Sequence, residues 1–376
     1  MIFMELKQIC HMTVAHEATD IRIFEKECSS LKKRGFDVSI IAPNVTDQIL
    51  LGIHIYGVRL PMNPITRLLW GAKRIYRKAL ELDADIYHFH DIELFYYGIK
   101  LKKRGKKVIF DSHEDWLEYA KEVRWLPKCV RYGVSKFLEK VYTKYLSYFD
   151  AVITVTPHIV DSLKRFSNRV YMVTNYPSKE ILNVDILLED YLMRQAACYT
   201  GTIYKQSNQG NIVKVVNELD IRYLLVGGIN DSLKVELENL NINNKMEYHP
   251  RMPSNKLKEI YSQSWVGLVI YDYSPNDGYR QGSLGVNKIF EYMAAGLPII
   301  CTDFEVWTRC IIEKYDCGVT VKPGDYQGLK NAFKFLMTHK DLAYQMGQNG
   351  QMAFRKEFNW EEEEKILLDI YKNIMI

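Results

Sequence analysis

The sequence predicts an α/β protein built from two Rossmann-like, doubly wound domains that face a central cleft. Short runs rich in Val, Ile and Tyr alternate with longer segments of helical period, which is typical of a parallel sheet covered by helices. A chain of 376 residues is also too long for one ordinary core. We therefore expect two open sheets, each with helices on both faces.

Two series of predicted strands define the domains. The first series comprises residues 36–43, 85–91, 106–114, 150–156 and 169–177. The second series comprises residues 196–201, 222–228, 245–250, 266–272, 296–303 and 318–324. A helical stretch at 21–35 ends at Gly35, directly after basic residues, as helices commonly do. We predict an N-terminal domain over 1–177, a C-terminal domain over 178–356, and a terminal segment, 357–376, that crosses back onto the first.

Composition excludes several classes of protein. No run of eighteen apolar residues is present, and Glu5 and Lys7 interrupt any signal-peptide core, so a cytoplasmic protein is expected. The seven cysteines lack zinc-ligand spacing, which favours free thiols. No strand is followed by GxGxxG, and there is no GxxxxGK[ST], which disfavours nicotinamide dinucleotide and P-loop functions.

The basic residues are concentrated in the first half of the chain. Residues 1–180 hold 29 Lys and Arg against 21 Asp and Glu, a balance of +8, whereas the remainder hold 21 against 25, a balance of −4. Two basic, aromatic stretches, 66–79 and 123–149, belong to this half. They are the residue types that bind an anionic membrane surface, or they form an ordinary solvated face. Nucleic acid is not an expected partner, because no nucleic-acid motif accompanies the charge.

The segment GVNKIFEYMAAGLPIICT, residues 285–302, carries the main candidate site. A helix beginning near Asn287 would turn Ile289, Phe290, Met293 and Ala294 toward the sheet. Lys288 and Glu291 then share another face with Ala295. The preceding GSLG turn, 282–285, and the helix N-terminus are suited to an anion, Lys288 adds a charge, and Glu291 could accept hydrogen bonds from a diol such as ribose. A solvated Lys/Glu pair at i, i+3 is the alternative.

The string NKIFEYMAAGLPII resembles the donor-site signature of retaining GT-B glycosyltransferases of family 4. Other segments resemble family counterparts in the same order: the region around 20–43, YHFHD, IFDSHED, DAVITVTPHIVDSL, the GTI turn at 201–203 and the final FNWEEEEKILLDIYKNI. The resemblance implies that Glu291 binds the donor ribose and that His113 contacts the transferred sugar. It also implies that Lys288 binds the diphosphate together with the main chain of Gly285, Val286 and Asn287.

The sequence departs from the family pattern at two positions. Ser283 stands where many members have a second glutamate, eight residues before the ribose-binding one. After Gly201, Thr202 stands in place of the usual arginine, and Lys205 is the nearest cation. A nucleotide-sugar donor is still expected, but the preferred sugar does not follow from the resemblance.

Further candidates come from loops that follow strands. His90 and Asp91 are expected on the acceptor side with Glu114, which adjoins His113, whereas His88 is expected to be structural. Asp20 and Arg22 lie in the first loop, where Asp20 either contacts substrate or caps the helix at Ile21. The main chain around Arg251 is the candidate for the nucleobase.

We expect a retaining, metal-independent glycosyltransferase without a cofactor, because the nucleoside diphosphate sugar is a substrate. The expected acceptor is a glycan, in particular a lipid-linked glycan of cell-surface polysaccharide assembly, reached by peripheral binding to the inner face of the plasma membrane. The sequence leaves two alternatives open: a nucleotide-sugar epimerase of GT-B-like fold, and a non-catalytic subunit that binds sugar nucleotides.

Overall fold

The computed structural model describes residues 7–60, 70–122, 127–180, 186–253, 256–274 and 278–375. These residues divide into two units. Unit 1 runs to Asn175 and resumes at Glu363, and unit 2 runs from Tyr176 to Glu362. The cut expected after residue 177 lies close to this division. The first parts of the two basic stretches, 66–69 and 123–126, and the N-terminal residues 1–6 fall outside the described ranges.

Unit 1 contains an eight-stranded sheet of order β3-β4-β2-β1-β5-β6-β7-β8. All neighbouring strands are parallel except β3 and β4, which are antiparallel. The strands are β1 Gln8–Met12, β2 Asp37–Pro43, β3 Gln48–Leu50, β4 Ile53–Val58, β5 Ile86–Phe89, β6 Lys107–Ser112, β7 Ala151–Thr154 and β8 Val170–Met172.

Unit 2 contains a six-stranded, fully parallel sheet of order β11-β10-β9-β12-β13-β14. Its strands are β9 Ala196–Thr200, β10 Arg222–Val226, β11 Met246–His249, β12 Ser264–Val269, β13 Ile299–Thr302 and β14 Gly318–Val321. Strands β9, β12 and β13 are buried along their length or nearly so, because two apolar layers cover the two faces of the sheet.

Helices cover both sheets, as the alternating pattern predicts. The described helices of unit 1 with at least five residues are Ile21–Cys28, Ser29–Lys33, Ala72–Leu82, Phe95–Lys103, Trp116–Glu122, Lys128–Tyr145 and Pro157–Lys164. Those of unit 2 are Leu188–Leu192, Gln209–Glu218, Asp231–Leu240, Leu257–Gln263, Asn287–Ala294, Thr308–Ile312, Tyr326–Thr338 and Lys340–Lys356. The C-terminal helix, Trp360–Met375, begins in unit 2 and contributes its residues from Glu363 onward to unit 1. In the described part of the chain, no helix combines the length and apolar character needed to span a bilayer.

Three strands, β1, β3 and β4, were not predicted from the sequence, and β1 is central in its sheet. Strand β1 lies between β2 and β5 in the middle of the first sheet. Its sequence, QICHM, is short and contains His11, so its apolar run is too brief to identify. Backbone pairing with both neighbouring strands, β2 and β5, stabilises β1 as a strand, although its own sequence does not indicate one.

The first helix begins and ends where the sequence indicates, but it is wound differently. Residues Ile21–Cys28 form a π-helix, and Ser29–Lys33 continue as an α-helix. Asp20 caps the start, because its Oδ1 accepts hydrogen bonds from the amides of Arg22 and Ile23. Gly35, at φ +88°, ends the helix as predicted. A π-helical turn changes which side chains point inward, and here it buries both Arg22 and Glu27.

Candidate functional site

The predicted anion site lies in unit 2, where the helix Asn287–Ala294 meets the turn after β9. A Cβ atom added to Gly201 would lie 2.5 Å from Lys288 Cε and 2.7 Å from its Nζ. Gly201 also has φ +118°, which disfavours other residues. The glycine therefore makes room for the Lys288 side chain, and the two predicted site residues are brought together.

Lys288 is half-buried and lies against two tyrosine rings. Its Nζ lies 5.1 Å from the ring centre of Tyr199 and 5.6 Å from that of Tyr271. Burial lowers the pKa of Lys288 to about 8, an effect that the nearby carboxylate of Glu291 partly opposes. An incoming anion would favour the protonated form, so this ammonium group is suited to binding a phosphate.

Glu291 lies one turn after Lys288, and its orientation is set by tyrosines. Glu291 Oε2 accepts a hydrogen bond of 2.9 Å from the hydroxyl of Tyr261. Tyr261 OH also lies 3.0 Å from Thr200 Oγ1, and the Thr200 amide donates to Tyr292 OH. Burial raises the pKa of Tyr261, and the charge of Glu291 raises it further, so the phenol remains a donor. This network holds the carboxylate in one orientation.

The helix itself has the predicted faces, with one addition. Ile289, Phe290, Met293 and Ala294 are buried, as expected, and Gly296 follows the helix at φ +63°. Tyr292 is buried as well, against Gly267 of β12. Ala295, expected on the face of Lys288, is also buried, because the polar face narrows at the end of the helix.

The turn before the helix is more constrained than a flexible loop. Gly282 has φ +80°, and a Cβ there would lie 2.5 Å from Phe304 Cβ. Ser283 Oγ accepts a hydrogen bond from the Gly285 amide, and its carbonyl accepts one from Trp307 Nε1. Gly285 is exposed, and Val286 and Asn287 are half-buried. Ser283, at the position where many family members have glutamate, thus stabilises the turn through two hydrogen bonds. In this conformation the Gly285 amide already donates to the Ser283 hydroxyl.

The remaining donor-side candidates are near the ends of strands of unit 2. Thr202 follows Gly201 and is exposed, and its carbonyl accepts a hydrogen bond from Tyr199 OH. Lys205 is exposed and begins a single helical turn, Lys205–Ser207, whose last residue is buried. Arg251 follows β11 and is exposed. Their positions leave these residues accessible to a ligand, but they do not contact Lys288 in the way that Gly201 does.

In unit 1, His113 and the acceptor-side candidate Arg22 both contact Asp111, a carboxylate that was not predicted as a site residue. His113 Nε2 lies 3.2 Å from Asp111 Oδ2, and the His113 side chain is 19% exposed. Arg22 donates to the same oxygen through Nε and Nη2. Desolvation opposes ionisation of Asp111, but the Arg22 guanidinium and the neighbouring histidines hold its pKa well below the usual range. Asp111 therefore orients His113.

Several of these candidates are placed differently from the sequence expectation. Arg22 is only 4% exposed and is occupied by Asp111 and the Val173 carbonyl, so its side chain faces the interior and not an acceptor. Asp20 takes the capping role described above. His90 and Asp91 are also buried, and Asp91 Oδ2 accepts hydrogen bonds from Thr13 Oγ1 and the Val14 amide. Glu114 is half-buried beside His113.

The sequence does not show which polar residues are buried together in the interior of unit 1. His88 is fully buried and 2.8 Å from Tyr371 OH, as a structural residue should be. His11 and Glu27 are fully buried next to it, although neither was predicted to matter. Their convergence depends on the pairing of His11 with His88 across β1 and β5, which requires the strand order.

Comparison with known proteins identifies the class and then the family. The chain is a glycosyltransferase with the two-domain GT-B fold. The model for glycosyl transferases group 1 matches residues 190–352, and the model for glycosyltransferase family 4 matches residues 25–175. The chain therefore belongs to the glycosyltransferases that these two models describe, group 1 and family 4. Among curated proteins, no sequence match is found.

Several solved structures share the fold at low sequence identity. Sucrose-phosphate synthase from Thermosynechococcus elongatus superposes with a TM-score of 0.76 at 16% identity, covering 98% of this chain and 99% of that one. HepE from Anabaena, in complex with UDP and glucose, has a TM-score of 0.71 at 10% identity, with coverage of 98% and 100%. WaaG, a glycosyltransferase of lipopolysaccharide biosynthesis, has a TM-score of 0.70 at 12% identity, with coverage of 96% and 99%.

Proposed function

We propose that this glycosyltransferase retains anomeric configuration and moves a sugar from a nucleoside diphosphate to a hydroxyl group of an acceptor. The observation that carries the proposal is the packing of Lys288 against Gly201, one turn from a Glu291 carboxylate that is held by Tyr261. This arrangement offers a cation for a diphosphate and an oriented acceptor for a ribose diol. The complex of HepE with UDP and glucose supports a nucleotide-sugar donor for the same fold.

The proposed chemistry depends on charge that develops on the leaving diphosphate. Lys288 and the N-terminus of the Asn287–Ala294 helix stabilise this charge without a metal ion. The bond between the anomeric carbon and the phosphate oxygen breaks, and the acceptor oxygen bonds to the same face of that carbon. The departing phosphate takes the proton of the acceptor hydroxyl. Glu291 positions the nucleoside and does not attack, and His113, oriented by Asp111, contacts the transferred sugar.

A lipid-linked glycan acceptor at the cytoplasmic face of a membrane is supported by one surface of unit 1. On the long basic helix, Lys128–Tyr145, Val130, Val134 and Phe137 are exposed along one stripe at helical spacing. Exposed Lys136, Lys140 and Lys144 flank the stripe. Apolar side chains beside a row of cations are suited to the interface of an anionic bilayer.

The helix Ala72–Leu82 contributes less to this surface. Its exposed Arg74 donates to the Arg59 carbonyl, and Lys78 pairs with Glu81 at 3.2 Å. Lys73 and Lys78 are half-buried, and Arg77 is exposed. Lys136 of the helix Lys128–Tyr145 pairs likewise with Glu139 at 2.8 Å. Because Lys140 and Lys144 are exposed beside the apolar stripe, this helix is still the better candidate for membrane contact.

A ligand screen followed by turnover tests the proposed reaction. A nucleotide at 100 times its dissociation constant should stabilise the protein by about 2.7 kcal/mol, so thermal shifts with UDP, GDP, ADP and CDP sugars identify the donor. With donor and acceptor, NMR should show a product of the same anomeric configuration as the donor. Diphosphate release without acceptor would favour an epimerase, and donor binding without any turnover would favour a non-catalytic subunit.

Liposome co-sedimentation tests the membrane acceptor separately. Binding to anionic vesicles should decrease with salt and fall when Lys136, Lys140 and Lys144 are changed to Glu, because each cation near the surface contributes about 1 kcal/mol. The matched control changes three exposed lysines of unit 2, Lys214, Lys256 and Lys258, to Glu. Equal binding by both variants, or equal binding to neutral and anionic vesicles, would favour a soluble acceptor.

A further inference from the structure

We propose that unit 1 contains a structural site for a divalent metal ion, formed by His11, Glu27, His88 and His90. All four side chains are buried, and one ligating atom from each lies within 4.8 Å of those of the others. The site belongs to unit 1 alone and is separate from the donor residues of unit 2. It does not depend on the proposed glycosyl transfer.

Three elements of secondary structure bring the four ligands together. His11 lies on β1 directly opposite His88 on β5, because these strands are paired in register. His90 follows His88 by two residues and therefore points to the same side of the sheet. Glu27 reaches them from the π-helical segment Ile21–Cys28, whose winding turns this residue inward.

The distances between donor atoms fit a four-coordinate ion. Glu27 Oε2 lies 3.8 Å from His11 Nδ1, 3.9 Å from His88 Nδ1 and 3.9 Å from His90 Nε2. His11 Nδ1 and His90 Nε2 are 3.0 Å apart. Ligands at the usual zinc distances of about 2.0–2.1 Å would be roughly 3.4 Å apart in a regular tetrahedron. These four separations lie on both sides of this value and the other two are within 4.8 Å, so side-chain movements would be needed to close the site around an ion.

The second nitrogen of each histidine lies 3.4–3.8 Å from an oxygen, although His88 Nε2 forms no hydrogen bond with the described residues. His90 Nδ1 lies 3.5 Å from Asp111 Oδ2, and His88 Nε2 lies 3.8 Å from the same oxygen. His11 Nε2 lies 3.4 Å from Tyr371 OH. Carboxylates and hydroxyls that accept a proton from ligating imidazoles set the tautomer and orientation of the ring. Metal binding would take His88 Nδ1 from the Tyr371 hydroxyl, which bonds to it in this structure.

Glu27 has the surroundings of a ligand that needs a further partner. Both of its carboxylate oxygens are buried without a well-formed hydrogen bond among the described residues. Arg22 Nε lies 3.1 Å from Oε1, whereas the three histidines lie close to Oε2. Arg22 can therefore hold one oxygen while the other binds the ion. A set of three imidazoles and one carboxylate is suited to Zn²⁺, and four protein ligands make the site structural.

Metal analysis of the full chain, purified without a tag or a metal column, tests the proposal. We expect about one equivalent of divalent metal per chain that survives dialysis against chelator, because the ligands are buried. Chelator-treated protein, unfolded and then refolded with Co²⁺, should develop the visible absorption of tetrahedral Co²⁺. The Co²⁺ titration uses the wild-type chain and so does not depend on any variant folding.

Variants then assign the ligands. His11→Gln and Glu27→Gln should lose the bound metal and the Co²⁺ absorption, whereas His158→Gln, a buried histidine of unit 1 outside the cluster, should keep both. Tyr371→Phe should weaken Co²⁺ binding by about 10–100-fold, the usual effect of removing such a partner. Absence of metal together with absence of Co²⁺ absorption would show that the four residues are only a buried polar cluster. Metal that all variants retain equally would be bound elsewhere, and either result overturns the proposal.

Discussion

Lys288 shows how much the chemistry of a residue depends on its surroundings. A solvated lysine would be charged throughout the neutral range, but burial beside Tyr199 and Tyr271 lowers the pKa of this one to about 8. The protonated fraction of Lys288 should therefore change with pH in a range where most lysines stay fully charged. The affinity of the protein for an anion should change with it. The identity of the residue was visible in the sequence, whereas its pKa depends on Gly201 and the tyrosines around it.

The first prediction concerns the pH dependence of nucleotide binding. A bound diphosphate should raise the pKa of Lys288, so the affinity should be highest below pH 8 and should fall above it by up to about tenfold per pH unit. Calorimetry in two buffers should detect proton uptake on binding at pH 8.5. Lys288→Arg is the control, because a guanidinium remains charged and should give a flat profile. A flat wild-type profile between pH 7 and 9.5 would mean that Lys288 does not contact the diphosphate.

The second prediction concerns Glu291. Hydrogen bonds from ribose hydroxyls to a charged carboxylate contribute roughly 1.5–3 kcal/mol each, so Glu291→Gln should weaken nucleoside diphosphate binding by about tenfold or more. Binding should be measured by calorimetry, with circular dichroism to confirm the fold. Glu305→Gln, an exposed carboxylate of the same unit, is the matched control and should bind normally. Equal affinities of the wild-type protein and Glu291→Gln would remove the ribose assignment.

At the scale of elements, the turn after β9 determines where the Asn287–Ala294 helix can place its lysine. The Gly201 amide donates to the Val226 carbonyl, and a Cβ on Gly227 would lie 1.8 Å from the Gly201 carbonyl oxygen. Two turns of the sheet therefore approach each other directly beside Lys288. Glycines are required at this point because the backbones and the lysine occupy the space of any side chain.

The third prediction tests this turn. Gly201→Ala should displace the Lys288 side chain, and strain at φ +118° adds a cost of order 1–3 kcal/mol. Both nucleotide affinity and thermal stability should decrease. Gly228→Ala is the control in the neighbouring turn, where an added Cβ meets nothing within 4 Å and the φ angle is not positive. If both variants bound nucleotide like the wild-type protein, Gly201 would not be needed to position Lys288.

At the scale of the whole molecule, the end of the chain completes the first unit. The C-terminal helix buries Leu367, Ile370 and Tyr371 in its unit 1 portion. Glu363 Oε2 accepts a hydrogen bond of 2.6 Å from the Thr174 amide, close to the point where the chain leaves unit 1. Burial raises the pKa of Glu363 to about 7, although Thr174, Arg22 and Lys26 oppose this. Within unit 1, this titratable group therefore joins the returning helix to the segment after β8.

The fourth prediction follows from the pKa of Glu363. Folding raises it from about 4.5 to about 7, so its stabilising contribution is full below pH 4.5 and is lost as the pH rises through 7. The loss is on the order of 3 kcal/mol. Glu363→Gln, which mimics the protonated form, should match the wild-type melting temperature near pH 4, below both pKa values, and exceed it at pH 8. Glu361→Gln should show no such crossover, and a constant difference between wild type and Glu363→Gln at both pH values would contradict the prediction.

Much of the fold was predictable because its signals are local. Ten of the eleven predicted strands contain the observed strand completely, because apolar β-branched runs bounded by polar or turn residues need no distant partner to be recognised. Strand β12 is the exception, since it begins at Ser264, before the predicted start at 266. The three missed strands are short or interrupted by polar residues, and pairing in the sheet supplies what their sequences lack.

The sequence by itself determined the two doubly wound sheets, the helix Asn287–Ala294 with its buried and polar faces, and the placement of Lys288 and Glu291 one turn apart on that helix. These features depend on spacing within one or two turns of chain. Only the tertiary structure decided that Gly201 leaves room for the Lys288 side chain and that Tyr261 orients Glu291. It also decided that four residues lie close together in the interior of unit 1, namely His11, Glu27, His88 and His90. These contacts join residues far apart in the chain. In a parallel sheet the strand order brings such residues together, and burial then sets their charge and hydrogen bonding, neither of which local periodicity encodes.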